Sequence, residues 1–204
     1  MNTTHDYKTL ATSSEGIYRE KGSKFYAYAF PISSVEGAKI QIEHVKEMHP
    51  KAKHHCYAYE IGVDGNNYRV NDAGEPSGAA GLPILGQIRS NELTNTIIIV
   101  VRYFGGTKLG VSGLSNAFKT AALDAIQNAK IIEKTIANYY QIVFDYDNMN
   151  NIMRICKEHN VTPFDQQFDL SCSITIHISK NDSEKVIQQF ELLQNVKTKY
   201  LYTS

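Results

Sequence analysis

Apolar and polar positions alternate most cleanly in the last third of the chain. Tyr140, Ile142, Phe144 and Tyr146 recur at every second position, which predicts a half-buried strand over Tyr139–Tyr146. Met149, Ile152, Met153 and Cys156 then fall at i, i+3, i+4 and i+7, one face of a helix that Asp147 can cap. Val161–Phe168 reads as a weaker strand with Phe164 and Phe168 on one side. In Ser171–Ile178 the alternation returns, with Cys172, Ile174, Ile176 and Ile178 directed inward. Val186, Ile187, Phe190 and Leu193 line a second helix, before which Asn181 and Glu184 are spaced as a capping box. Val196–Tyr202 is the last strand. The order β-α-β-β-α-β over about 65 residues is the split βαβ, ferredoxin-like pattern, with two helices on one face of an antiparallel sheet. Tyr140, Phe144, Tyr200 and Tyr202 are expected in its core or in a contact with the preceding domain.

The first two thirds mix elements less regularly. Gly16–Arg19 and Phe25–Ile32 read as strands joined by a turn at Lys21-Gly22-Ser23. Val35–Met48 is helical, with Ala38, Ile42, Val45 and Met48 or His49 on one face, and stops before Pro50. His55–Ile61 and Tyr68–Val70 flank Asp64-Gly65-Asn66-Asn67, a hairpin turn. Leu82–Ser90 is a short helix. Thr96–Phe104 contains the β-branched run Ile97–Val101, which suits a central strand buried on both faces. Val111–Ala129 is a long amphipathic helix whose buried alanines imply close packing on a sheet. A boundary near Thr135–Asn138 divides a first domain, 1–136, from a second, 137–204. The fold class is therefore α+β with two domains.

Composition sets limits on function. At 204 residues with 42% hydrophobic and 21% charged positions, the chain can bury a core. It contains no apolar run long enough to span a membrane, and residues 1–6 lack the basic and apolar regions of a secretion signal. Cys56, Cys156 and Cys172 are odd in number and widely spaced, as suits free thiols. A cytoplasmic location is expected. Formal net charge is zero, with 15 Lys+Arg against 13 Asp+Glu in residues 1–136 and 6 against 8 in residues 137–204. Nucleic-acid binding would therefore need a local cluster of cations.

Two glycine-containing loops carry most of the chemistry. In Asn71–Gly81, the glycines of Gly74, Gly78 and Gly81 surround Glu75-Pro76-Ser77 between a strand and a helix. Either the N–H groups of Gly78–Gly81 receive an anion at the helix start, or the segment is a tight turn with a capping role. Arg102–Gly113 leaves the central strand and enters the long helix, with Gly105, Gly106, Gly110, Lys108, Thr107 and Ser112 along it. It is neither GxxxxGK[ST] nor GxGxxG, so a phosphate cradle and glycine-driven close packing both stand.

Together these loops resemble a family. GEPSGAAGLPIL and VVRYFGGTKLGVSGL, preceded by HHCYAY, are similar to the IMPACT/YigZ family over essentially the whole chain. The matching positions are His55, Asp72, Glu75, Pro76, Ser77, Gly78, Gly81, Arg102, Tyr103, Phe104, Gly105, Gly106, Leu109, Gly110 and Gly113. Ala79 departs, standing where the family usually has threonine. The resemblance implies a first domain like domain 2 of a small-subunit ribosomal protein and of GHMP kinases. It implies a second domain like the last domain of elongation factor G. It also implies regulation of translation, in stress response or at the ribosome, since eukaryotic members compete for the activator of an initiation-factor kinase, and RNA binding has been suggested for bacterial ones.

The enzyme reading has less to draw on. His54 and His55 are neighbours on a strand and point to opposite faces, so they cannot share a metal; no metal or cofactor is expected. Asp72 and Glu75 could pair as acid and base, or form salt bridges with Arg69 or Arg102. A binding surface needs only exposure, and Arg102, Tyr103, Lys108, His54 and Tyr57 could offer cations and rings to RNA or to a translation-machinery protein. The expected function is thus non-enzymatic binding through the loop surface, with a nucleotide- or phosphate-handling enzyme using Arg102–Gly113 as the alternative.

Overall fold

The side chains of Ile97–Val101 have no solvent exposure, and the first unit of the chain is arranged around them. The computed structural model describes residues 6–168 and 171–203. Its strands and helices run β1 (Asp6–Leu10), β2 (Ser14–Glu20), β3 (Ser23–Pro31), α1 (Val35–Met48), β4 (His54–Ile61), β5 (Asn67–Asn71), α2 (Gly81–Ser90), β6 (Thr96–Tyr103), α3 (Gly110–Gln127) and β7 (Ile131–Thr135). After these come β8 (Ala137–Phe144), α4 (Met149–Glu158), β9 (Phe164–Phe168), β10 (Cys172–Ser179), α5 (Ser183–Glu191) and β11 (Val196–Thr203). One compact unit is Tyr7–Lys134; the other begins at Thr135 and takes in Asp6.

In the first unit, β2-β3-β6-β4-β5 form one sheet in which every neighbouring pair is antiparallel. β3 and β4 both run antiparallel to β6 and hence parallel to each other. The β3-α1-β4 unit is therefore a split βαβ with β6 inserted in its middle. This explains the buried run. Ile98 and Val100 pack with Ile84, Leu85 and Ile88 of α2 and with Leu114, Phe118 and Ala122 of α3. Ile97, Ile99 and Val101 pack with Ala38, Ile42 and Val45 of α1. Helices on both faces leave the central strand no solvent side, so Ile97–Val101 is apolar at every position.

Local signals account for the helices. Ser34 accepts a hydrogen bond from the N–H of Gly37 at 3.1 Å and starts α1, and the chain turns at His49 before Pro50. His49, not Met48, faces inward, its ring between the hydroxyls of Tyr28 (2.7 Å) and Tyr103 (3.0 Å). α3 lies against β2 so closely that the chain uses glycine there. Ser14 Oγ donates to the carbonyl of Ala125 at 2.8 Å, and a Cβ on Gly16 would stand 2.9 Å from the Cα of Ala125 and overlap its nitrogen.

In the second unit the order β-α-β-β-α-β holds, and the antiparallel sheet runs β11-β8-β10-β9. Cys172, Ile174, Ile176 and Ile178 face the core with Ile142, Phe144, Ile152, Val186 and Phe190, as their alternation predicts.

Several expectations need correction. β1 and β7 are strands that pair with each other, although each is short and mixed in polarity. Tyr146 is not the end of β8; it is exposed in a 3-10 turn, Tyr146–Asn148, that separates Asp147 from the start of α4. Asn148 stands at that helix cap without a side-chain bond, and Ile155 takes the core position expected of Met153. Asp182, not Asn181, precedes α5 and accepts from Ser179 Oγ at 2.7 Å. Tyr200 and Tyr202 are exposed.

Two glycine substitutions separate close approach from helix propensity. Gly16→Ala pushes a methyl group into the backbone of α3 and is expected to cost about 1–3 kcal/mol. Gly86 lies exposed within α2, where a Cβ would have no neighbour within 4 Å, and Gly86→Ala is expected to stabilise by about 0.5–1 kcal/mol. Urea unfolding midpoints of the two variants should move in opposite directions; a shared direction would contradict this packing.

Candidate functional site

The alternation of β6 decides which end-of-strand side chains meet. Arg102 continues the face of Ile98 and Val100, toward α3, while Tyr103 continues the face toward α1. β4 alternates in the same way. His54 stands opposite Arg102 in the ladder, and His55 turns to the other face.

The first loop is organised by Asp72. Its carboxylate accepts hydrogen bonds from the N–H groups of Gly78 (2.9 Å), Ala80 (3.0 Å) and Gly81 (2.9 Å). Burial by itself would raise this carboxyl's pKa, but the three N–H groups together outweigh it and hold the group below the usual carboxylate range. These N–H groups are therefore already taken, and the expectation that they receive an external anion is replaced by the capping alternative. Ala79 is buried in the core, so its position does not face a ligand. Asp72 likewise spends its carboxylate inside the loop.

Folding that loop delivers Glu75 to Arg102. Nη1 of Arg102 donates to both carboxylate oxygens of Glu75 at 2.8 Å, and both side chains are buried. His54 donates from Nδ1 to the carbonyl of Ala73 at 3.0 Å, which places that nitrogen 3.9 Å from Glu75 Oε1. Acid–base use of Asp72 with Glu75 is thereby excluded as the resting arrangement: one carboxylate caps and the other is ion-paired. Cys56 donates its thiol hydrogen to the carbonyl of Asp72 at 3.1 Å, and burial pushes that thiol far above its ordinary pKa, so it remains a neutral core group.

The second loop is held at its start by Gly105, whose N–H donates to Ser23 Oγ at 3.1 Å and whose Cα abuts the turn at Gly22 with no room for a Cβ. Gly106 and Gly110 take positive φ and carry the chain round to α3. Among the described residues no side chain caps the start of α3, and no acidic residue lies in its first turn. Phe104 is 58% exposed, with the Arg102 guanidinium 5.5 Å from its ring centre.

These elements enclose a cleft of about 620 Å³. It is lined by Glu75 and Pro76 of the first loop, His54 of β4, Arg102 to Phe104 at the end of β6, Lys108 to Val111 and Leu114 of the second loop and α3, and Lys51, Ala52 and Lys53 before β4. The two loops thus meet at one place. Lys51 and Lys53 carry no motif and stand far from Lys108 in sequence; only the pairing of β4 with β6 joins them. Ser77, Gly78, Gly81, Gly105, Gly106 and Gly113 shape the loops and do not line the cleft.

His55, Tyr57 and Arg69 are not part of it. They line a separate cleft of about 500 Å³ on the α1 side, with Lys39, Lys46 and Lys53. Period-two alternation separates them from His54 and Arg102. Burial lowers the pKa of His55, and its Nε2 is buried without a hydrogen-bond partner among the described residues. Tyr103 also directs its hydroxyl to that side, toward His49.

Among the described residues, no three His, Cys, Asp or Glu side chains gather as a metal site, and no helix is long and apolar enough to cross a membrane.

The chain is similar to proteins of one family. The model of the Impact N-terminal domain matches residues 21–126. The IMPACT family member of Haemophilus influenzae is 31% identical over 188 residues, covering 89% of this chain and 88% of that protein. IMPACT family member YvyE of Bacillus subtilis is 31% identical over 154 residues, covering 76% of this chain and 71% of its own. A crystal structure described as a hypothetical protein shares the fold with a TM-score of 0.73 at 23% identity, covering 97% of this chain and 98% of that one.

The two carboxylates give separate tests. Glu75→Gln removes the counter-ion of a buried arginine and is expected to cost about 3–5 kcal/mol, whereas Glu75→Leu with Arg102→Met together costs far less. Equal losses would mean that the pair is not buried as described. Asp72→Asn sets an amide NH2 against the N–H of Gly78 and is expected to cost about 1–3 kcal/mol, the cost of leaving a buried donor without an acceptor. Because the native pKa of Asp72 is depressed, its contribution is present above the unfolded value and is lost as pH falls through the native one. The melting temperature of the wild type should therefore fall more steeply than that of Asp72→Asn as pH is lowered through and below the ordinary carboxylate range; parallel curves would remove Asp72 from the account.

Proposed function

The chain belongs to the IMPACT family, and from that membership together with the cleft we propose that it is a non-enzymatic, cytoplasmic binding protein of translational regulation that holds single-stranded RNA. One observation carries the reading. Lys51, Lys53 and Lys108 line the same cleft and make no ion pair among the described residues, while the one carboxylate of the lining, Glu75, is already matched by Arg102. A chain with no net charge therefore keeps a local excess of cations where its two loops meet.

The rest of the lining suits an RNA segment. Phe104, Leu109, Val111, Leu114 and Pro76 supply apolar surface beside those lysines, so bases and phosphates both find a partner. The uncapped start of α3 adds a favourable site for negative charge at Gly110 and Val111. A volume of about 620 Å³ is within the range of roughly 300–1,000 Å³ typical of ligand clefts, so the fit is to an inserted segment of the strand. The translational role rests on the family, and the likeness of the two domains to ribosomal-protein, GHMP-kinase and elongation-factor domains belongs to the same proposal.

Salt dependence tests the reading. Each lysine removed from a phosphate contact should flatten the plot of log affinity against log salt by about 0.7 for single-stranded RNA. Lys108→Ala is therefore expected to change the slope by that amount, and the Lys51→Ala, Lys53→Ala, Lys108→Ala triple variant by about 2. An unchanged slope in the triple variant would reject the cleft as the RNA site. Thermal stabilisation by a mononucleotide that RNA cannot compete away would favour the enzyme alternative instead.

A further inference from the structure

The second unit contains a surface that the cleft does not explain. Its helices cover the face of the sheet that carries Ile142, Phe144, Ile174 and Ile176. The opposite face carries a row of rings, one from each of the four strands: Tyr202 on β11, Tyr139 on β8, His177 on β10 and Phe164 on β9. Tyr202 stacks on Tyr139 with centroids 4.4 Å apart and planes at 16°. Tyr139 meets His177 at 5.6 Å, and His177 meets Phe164 at 6.0 Å.

Register puts them there. His177 stands directly opposite Tyr139. On the other side a bulge between Tyr200 and Tyr202 brings Tyr202 opposite Tyr139, while Tyr200 opposes Tyr140 on the helix side. Without that bulge strict alternation would keep both tyrosines on one face, and the row would lack its fourth ring. His177 and Tyr202 are exposed, Tyr202 by 52%. The same register sets Lys199 opposite Gln141 and Lys197 opposite Val143, so two cations stand on the face of Tyr139.

We infer that this open sheet face is a second binding surface, a stacking platform for the unpaired bases of single-stranded RNA. The observations favour that occupant over a protein. Cross-strand aromatic pairs contribute to any sheet, but they do not require rings on all four strands or the exposure of His177 and Tyr202. A row of π-faces flanked by lysines matches alternating bases and phosphates, and stacking is tolerant of sequence because every base has a π-face. Residues 137–204 carry 6 Lys+Arg against 8 Asp+Glu, so the platform must hold RNA chiefly through rings and only weakly through charge. The inference rests on the proposed function for its ligand class and on a different surface for its site.

The test uses the full chain and a short oligouridylate. At about 0.5 M salt, where phosphate contacts are weakened, the Tyr202→Leu, His177→Leu double variant should bind at least about tenfold more weakly than wild type. Tyr202→Phe, which keeps a π-face, should bind as wild type does. Ultraviolet crosslinking mapped by peptide should label Tyr139, His177 or Tyr202. If the double variant binds like wild type and crosslinks fall only within residues 102–114, the row is packing alone; the platform is overturned while the cleft reading survives. Crosslinks on the row with none in the cleft would reject the cleft and leave the platform standing. Absence of crosslinks and of RNA binding would dismiss both.

Discussion

The buried pair of Glu75 and Arg102 is the contact on which the geometry of the first unit's loops depends. Arg102 follows the apolar run Ile97–Val101 at a buried position, where an unpaired guanidinium would be strongly disfavoured. Glu75 reaches it only because Asp72 has gathered three N–H groups and bent the loop back on itself. Removing water from two charges costs more than their attraction returns unless the geometry is close, so such a pair contributes position more than stability. Here it fixes the first loop against the strand from which the second loop departs. The cleft is the space left between them.

Much of this was legible in the sequence, and the reasons are local. The β-branched run in β6, the apolar face of α1 and the alternation of β10 all depend on spacing within a few residues, and all three elements lie where that spacing puts them. β1 and β7 were not legible, because each depends on a partner more than a hundred residues away and neither has a regular face. The capping positions before α4 and α5 were displaced by a turn of 3-10 helix and by one residue, shifts that side-chain type alone does not determine.

The candidate site was legible in part, for the same reason. Both loops were evident from glycine and charge, and period-two alternation was enough to send His54 and His55 to opposite faces. That rule also separates Tyr57 and Arg69 from the cleft, since they line the α1 side with His55. Lys51 and Lys53 had no signal of their own: a lysine on a surface loop is ordinary, and only strand pairing places these two beside Lys108. Tyr200 and Tyr202 show the opposite failure. Alternation assigns them to one face, and a bulge, which no residue in Val196–Thr203 announces, divides them.

The kind of cation in the cleft limits what it can read. A guanidinium can hold a base edge or a phosphate by two parallel bonds, but Arg102 is committed to Glu75, and its charge is cancelled there. The lysines that remain are point charges on flexible stems, with no fixed fork to match one base against another. Apolar groups such as Phe104 and Val111 offer contact area and not hydrogen-bond patterns. A surface built this way can attract a phosphate backbone and shelter bases while discriminating little among them. Sequence preference in such a protein must then come from the shape and flexibility of the RNA, or from the partner that presents it, because the side chains that could have read base edges are already engaged in holding the loops together.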